Sequence, residues 1–95
     1  MPEMRFVIRW PDGRAESCYS PSLVIKDYFA PGQSYALGDF LARSRTAFDI
    51  ASERVKARYG YRCSRAGAQL ARIETAAATF AATPDARVVV EAFEE

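Results

Sequence analysis

The chain contains no histidine and no asparagine in its 95 residues. The absence of histidine excludes Ser-His-Asp and Cys-His-Asn catalysis and most zinc sites, and the absence of asparagine excludes N-glycosylation. Cysteine is scarce, because only Cys18 and Cys63 are present. They do not have the spacing of metal ligands and are too few for a disulfide-rich secreted scaffold. We therefore expect no metal site and no bound cofactor.

Long apolar segments are also missing. No stretch approaches the roughly 20 apolar residues that span a membrane. The first residues do not combine a basic segment with an apolar run, as a signal peptide does. The chain is 49% apolar and 26% charged, with a formal net charge of +1. These values predict one small globular domain over residues 1–95, in the cytoplasm and without membrane contact.

The hydrophobic pattern predicts an α+β fold. In residues 4–10 every second side chain is large and apolar, and the side chains between them are Arg5, Val7 and Arg9. This alternation is typical of a strand with one buried side. A Pro-Asp-Gly sequence at 11–13 favours a turn, so we predict a β-hairpin over residues 4–20. A short apolar strand at 87–93 is expected to pair with the first strand. The resulting sheet would be antiparallel, with three strands.

Helical periodicity follows in two long segments, at about 35–59 and 65–82. We predict that they form a helical hairpin on one face of the sheet, with Tyr59 in the buried row of the first helix. Residues 21–29 fit either a helix that Ser20 would cap or a strand, because β-branched residues occur among them.

Residues 31–35, which follow the segment 21–29, are predicted to be a loop that carries a tyrosine. One interpretation is a contact surface and the other is a turn with an anchored aromatic side chain, and we favour the anchored side chain.

Charge is distributed unevenly. Residues 43–72 hold eight basic and two acidic side chains, a net charge of +6, whereas the other residues carry −5. One interpretation is an anion-binding or nucleic-acid-binding surface. The other is an ordinary solvated face with Arg45–Asp49 and Glu53–Lys56 ion pairs. We favour the solvated face, because the net charge is small and the aromatic residues are expected in the core instead of between the arginines.

Candidate binding residues lie near the predicted strand-to-helix junction. A Cys18 thiol beside a helix N-terminus would have the lowered pKa that a reactive thiolate needs, although no histidine is available as its base. The alternative is a small buried side chain. No residue is assigned a catalytic role. The candidate ligand-binding residues are Cys18, Tyr19, Ser20 and Ser22, with Arg43 and Arg45 as anion contacts.

Several short segments spread over nearly the whole chain together resemble one protein family. They are MPEMRF at 1–6, RWPDG at 9–13, CYSPS at 18–22, PG and SY within 31–35, IASERV at 50–55, YG and CS within 59–64, and PDARV and VEAFE within 84–94. The combination resembles a family of small bacterial nitrogen starvation response proteins.

This resemblance implies a genomic context and no catalytic residue. Members are typically encoded with a nitrilase-type carbon–nitrogen hydrolase, a radical S-adenosylmethionine enzyme, an acetyltransferase-like protein, a synthase-like protein and a flavin-dependent oxidoreductase. The cluster is linked to nitrogen limitation and to nitrile or cyanide use.

We therefore expect a non-catalytic accessory or binding protein that contacts an enzyme of this cluster or a pathway intermediate. An uncovered sheet face or edge would also allow a twofold homodimer. Two alternatives remain open: a small thiol-dependent enzyme or carrier that uses Cys18, and a nucleic-acid-binding regulator that uses the basic helical hairpin.

Overall fold

The α+β architecture is confirmed by the computed structural model, which describes residues 3–95. These residues contain, in chain order, β1 (Met4–Arg9), β2 (Ala15–Ser20), α1 (Ile25–Tyr28), β3 (Gln33–Ala36), α2 (Leu37–Tyr59), α3 (Ser64–Ala78) and β4 (Arg87–Glu94). The strands form one antiparallel sheet in the order β2-β1-β4-β3. Among residues 3–95, no helix has the length and apolar character to cross a membrane.

The predicted hairpin and its pairing with the last strand are confirmed. β1 pairs with β2 from Met4↔Ser20 to Arg9↔Ala15, and Gly13 adopts a φ of +88° in the connecting turn. β1 also pairs with β4 on its other side. The first strand is therefore internal, as its apolar alternation predicts.

The prediction of a three-stranded sheet is wrong, because the sheet has a fourth strand in the segment that was predicted to be a loop. β3 pairs with β4 through residues such as Tyr35, which lies opposite Val88. The turn before β3 needs Gly32, which has a φ of +85° and donates its N–H to the Val90 carbonyl at 2.7 Å. Four residues are too few to show a clear alternation, and the pairing depends on β4, far along the chain.

The segment 21–29, which the sequence leaves open, contains the short helix α1. Its cap residue is Val24, and no side chain caps it. Ser20 is instead the last residue of β2 and is fully buried, so its predicted capping role is wrong. β2 still pairs with β1 at this position, where Ser20 lies opposite Met4.

The two long helices differ from the prediction at their ends. α2 ends where predicted, with Gly60 in the left-handed conformation at a φ of +85°. α3 ends at Ala78 instead of residue 82, because Thr79 donates its hydroxyl to the Ala76 carbonyl and turns follow. Tyr59 is 53% exposed, so its predicted place in the core is wrong. Residues 56–62 are all exposed, and the last turn of α2 therefore extends beyond the core.

The core is an aromatic cluster on the buried face of β1. Phe6 packs against Phe29 and Phe48, with ring centroids 6.2 Å apart in both pairs. Trp10 meets Phe40 edge to face at 5.8 Å. Phe29 follows α1, and Phe40 and Phe48 lie on α2. These contacts therefore hold both helices against the sheet.

The substitution Phe40→Ala should therefore lower the free energy of unfolding by about 3–5 kcal/mol, because it removes a fully buried ring and leaves a cavity. Urea denaturation measures this loss. The matched control is Tyr61→Ala, which removes an aromatic ring that is 67% exposed and should change stability by no more than about 0.5 kcal/mol. Equal losses in both variants would contradict this assignment of the core.

Candidate functional site

Cys18 lies inside the core and not at a helix terminus. It is 0% exposed, in the middle of β2 and opposite Phe6. Burial, with a smaller contribution from the charge of Glu16, raises the pKa of the Cys18 thiol to about 12. The lowered pKa that thiolate chemistry requires is therefore absent at this residue.

Ser20 and Ser22 are also buried, and both hydroxyls have hydrogen-bond partners. Ser20 Oγ donates to the Ser22 carbonyl at 2.7 Å and accepts the Ser22 N–H at 3.3 Å. Ser22 Oγ accepts from Arg54 Nη1 at 2.8 Å and from the Val24 N–H at 3.3 Å. These bonds fix the chain between β2 and α1 and connect it to α2.

Arg43 joins α2 to the neighbouring α1 and β3. Its Nε donates to Asp39 at 2.9 Å, and its Nη1 donates to the Tyr28 carbonyl at 2.8 Å. Its guanidinium carbon lies 5.1 Å from the centroid of the Tyr35 ring. These contacts give Arg43 a structural role. None of them involves Tyr19 or another residue of β2.

The predicted ion pairs on α2 are replaced by pairs to other elements. Arg45 pairs with Glu74 of α3 at 2.9 Å, so the expected Arg45–Asp49 pair is wrong. Asp49 and Glu53 both pair with Arg62, which lies in the turn between α2 and α3. The structure therefore does not bring Arg45 together with the β2 residues.

Tyr19 is a predicted site residue that borders accessible clefts, whereas Arg45 lines a separate open hollow of about 630 Å³ between α2 and α3. The Tyr19 ring lies under the Arg65 guanidinium, whose carbon is 3.9 Å from the ring centroid. Its hydroxyl donates to Glu3 at 3.0 Å, and its backbone N–H donates to Gln69 Oε1 at 3.0 Å. Partial burial and the Glu3 hydrogen bond raise the pKa of the Tyr19 phenol to about 12. Tyr19 is therefore a neutral phenol at physiological pH.

A cleft of about 510 Å³ opens beside Tyr19, and two further tyrosines line it. Tyr59 and Tyr61 are the large apolar side chains that are exposed within residues 3–95, and their ring centroids are 6.4 Å apart. We call this region the tyrosine cleft. Its lining residues are Glu3, Tyr19, Pro21, Val55, Tyr59, Tyr61, Arg62, Cys63, Ser64 and Arg65.

Arginines stack on two of these tyrosines, so the expectation that aromatic and basic side chains do not interleave is wrong. Arg65 covers Tyr19, and the guanidinium carbon of Arg58 lies 5.8 Å from the centroid of the Tyr59 ring. The exposure of Tyr61 could have been predicted from the sequence, because this residue follows the glycine that ends α2 and so lies outside the helix. The exposure of Tyr59 could not, since this residue continues the apolar period of α2.

Most of the basic side chains in residues 43–72 are neutralised by carboxylates. Five of the eight form ion pairs with acidic residues of the described chain: Arg43, Arg45, Arg62, Arg65 and Arg72. Within residues 3–95, Arg54, Lys56 and Arg58 have no carboxylate within ion-pair distance. These three lie on the last two turns of α2, so the positive charge without a partner is concentrated next to the exposed tyrosines.

The cleft offers aromatic faces, guanidinium groups and a half-buried thiol at Cys63. Over residues 3–95, no group of three or more cysteine or acidic side chains could hold a metal ion.

A family model described as nitrogen starvation-induced protein NitG matches residues 5–93. This match spans β1 to β4 and includes nearly the whole tyrosine cleft. It confirms the family resemblance seen in the sequence. No curated protein and no solved structure matches the chain.

The environments of the two cysteines predict a definite order of alkylation. In the folded protein at about pH 8, iodoacetamide should modify the half-buried Cys63 before Cys18, because Cys18 is inaccessible and its pKa is raised. Peptide mass spectrometry measures both rates, and the urea-unfolded chain, in which both thiols should react, is the control. Faster modification of Cys18 than of Cys63 in the folded protein would revive the thiol-enzyme alternative.

Proposed function

Because the chain belongs to the NitG family of nitrogen starvation-induced proteins, we propose that it serves the starvation response as a non-catalytic binding protein. Its recognition surface is the tyrosine cleft, and its partner is a protein. The first candidate is an enzyme of the gene cluster that the family resemblance implies. The observation that carries this proposal is the exposure of Tyr59 and Tyr61 beside a cleft, whereas the other large apolar side chains of residues 3–95 are buried or half-buried.

Exposed tyrosines are suited to protein recognition. Tyrosine is enriched at the energetically important centres of protein interfaces, since it combines a large apolar face with a hydroxyl. The Tyr59 ring lies 6.4 Å from the Tyr61 ring and 5.8 Å from the Arg58 guanidinium carbon, so the three side chains form one exposed patch.

The charge around the cleft supports a partner with acidic side chains. Lys56 and Arg58 have no carboxylate partner within residues 3–95 and lie within a few residues of both exposed tyrosines. Charges at the rim of an interface accelerate association with a partner of opposite charge. With a formal net charge of +1, the whole chain lacks the strong positive charge typical of nucleic-acid binding.

The surroundings of the candidate nucleophiles support binding instead of catalysis. Cys18, Ser20 and Ser22 are buried, and both serine hydroxyls take part in hydrogen bonds that hold the backbone. None of these three residues lines the tyrosine cleft. A homodimer through the open sheet face remains a prediction. The apolar side chains there, Val7 and Val89 among them, are half-buried and adjoin charged ones.

The partner can be captured by photo-crosslinking in nitrogen-starved cells that express the chain. A photoreactive amino acid replaces Tyr61 in one variant and the exposed Ala30, which does not line the cleft, in a matched control. We expect a crosslink to an enzyme of the implied cluster from position 61 and none from position 30. A nucleic-acid adduct from position 61 would favour the regulator alternative.

Once purified, that partner should bind the variant with both Tyr59→Ala and Tyr61→Ala about 10- to 100-fold more weakly, because the substitutions remove two interface anchors. Calorimetric titration measures the change. The control is Tyr28→Ala, which removes a tyrosine that lies outside the cleft and should leave the affinity unchanged. Unchanged affinity in the double variant would refute the assignment of the tyrosine cleft as the recognition surface.

A further inference from the structure

A second hollow lies next to the tyrosine cleft, along the outer edge of β2. Its volume is about 280 Å³. Three arginines line it: Arg5 from β1, and Arg65 and Arg72 from α3. The other described residues that line it are Tyr19, Ala68 and Gln69, so none of the six is acidic. We call this region the arginine hollow.

The spacing of residues along α3 builds one wall of the hollow. Arg65, Ala68, Gln69 and Arg72 are three, four and seven positions apart and so share one face of the helix. The small side chain of Ala68 leaves space between the two arginines. Arg5 enters from the open face of the sheet, opposite the buried Met4 and Phe6 side of β1. Guanidinium groups from two different elements therefore converge on one space.

The positive charge in the hollow is only partly neutralised. Arg72 Nε donates to Glu16 at 3.0 Å, whereas Arg65 is 3.9 Å from Glu3. Arg5 forms no ion pair with any residue of 3–95. The cross-strand neighbour of Arg5 is Glu94, which does not come within ion-pair distance of it. Glu94 lies with Glu3 and Glu95 in an adjoining hollow that Arg5 and Arg65 also line, so the carboxylates border the arginine hollow on one side only. A bound anion would reduce the repulsion between these guanidinium groups.

An unpartnered hydrogen-bond donor lies in the same wall. Gln69 Oε1 accepts the backbone N–H of Tyr19, which fixes the orientation of the amide. The other end of that amide, Nε2, is inaccessible and has no hydrogen-bond partner. A buried donor without a partner is costly and uncommon. Because solvent cannot reach Nε2, a ligand in the hollow cannot bond it without a movement of the Gln69 side chain, so anion binding there depends on the arginines.

We propose that the arginine hollow binds the phosphate group of a small phosphate monoester. Such a group carries nearly two negative charges and three terminal oxygens, and guanidinium forks match it in shape and charge. A carboxylate has one charge and two oxygens, and a single arginine can satisfy it. The convergence of three arginines favours the phosphate. Tyr19 and Arg65 line both this hollow and the tyrosine cleft, whereas Tyr59 and Tyr61 line only the cleft. Variants at positions 59 and 61 therefore test the protein partner without altering the arginine hollow.

The first experiment compares three probes by NMR titration at constant ionic strength: inorganic phosphate, glycerol phosphate and acetate. We expect both phosphates to bind, with shifts of the backbone amides of Arg5, Gln69 and Arg72, and acetate to bind about tenfold more weakly or not at all. Equal binding of acetate, or shifts that lie elsewhere in the protein, would overturn the proposal.

The second experiment uses the variant Gln69→Glu. A glutamate keeps an acceptor for the Tyr19 N–H and adds a negative charge to the wall that carries Arg65 and Arg72. It should weaken phosphate binding by about tenfold or more.

Arg72→Gln should give a comparable loss, and it tests the proposal separately if Gln69→Glu disturbs the fold. The control is Arg14→Gln, an exposed arginine in the hairpin turn that does not line the hollow. An equal loss in the control would show a general effect of charge and would refute a specific site.

Discussion

Burial of one face of β1 is the interaction on which the other elements depend. Phe6 is inaccessible to solvent and contacts Phe29, after α1, and Phe48, on α2. At the far end of the same face, Trp10 stacks on Phe80, which follows α3, at 5.9 Å. A chain of this size has enough surface for one core only. The helices can therefore be held only where these rings are, and the opposite face of the sheet stays open.

Much of this architecture can be predicted from the sequence because it is periodic over long segments. The alternation of β1 and the helical period of α2 each extend over enough residues to exclude the other element type. β3 could not be predicted in this way, since it has four residues and forms because β4 offers unpaired backbone groups on its outer side. The exposure of Tyr59 also depends on how far α2 extends past the core, which no local pattern contains.

The candidate site is predictable only at Tyr19. Neighbours along a strand point to opposite faces, so the strand that exposes Tyr19 buries Cys18 and Ser20. A group of consecutive residues in the sequence is thus divided between the core and the surface. The contacts that define the site, from Arg65 and from Gln69, come from residues about 50 positions away. They depend on the docking of α3 against β2, which pairwise sequence spacing does not reveal.

The hydrogen bond from the Tyr19 backbone N–H to Gln69 also affects the tendency of the protein to aggregate. An outer strand with free N–H and carbonyl groups is a template for strands of other molecules, which leads to intermolecular sheets and aggregation. In this protein, a side chain of α3 occupies one such group on β2. The opposite outer strand, β3, has only four residues and offers a short template. An added strand could therefore not use the Tyr19 N–H of β2, and beside β3 it would find only four residues to pair with, so both edges of the sheet limit the length of strand that can be added.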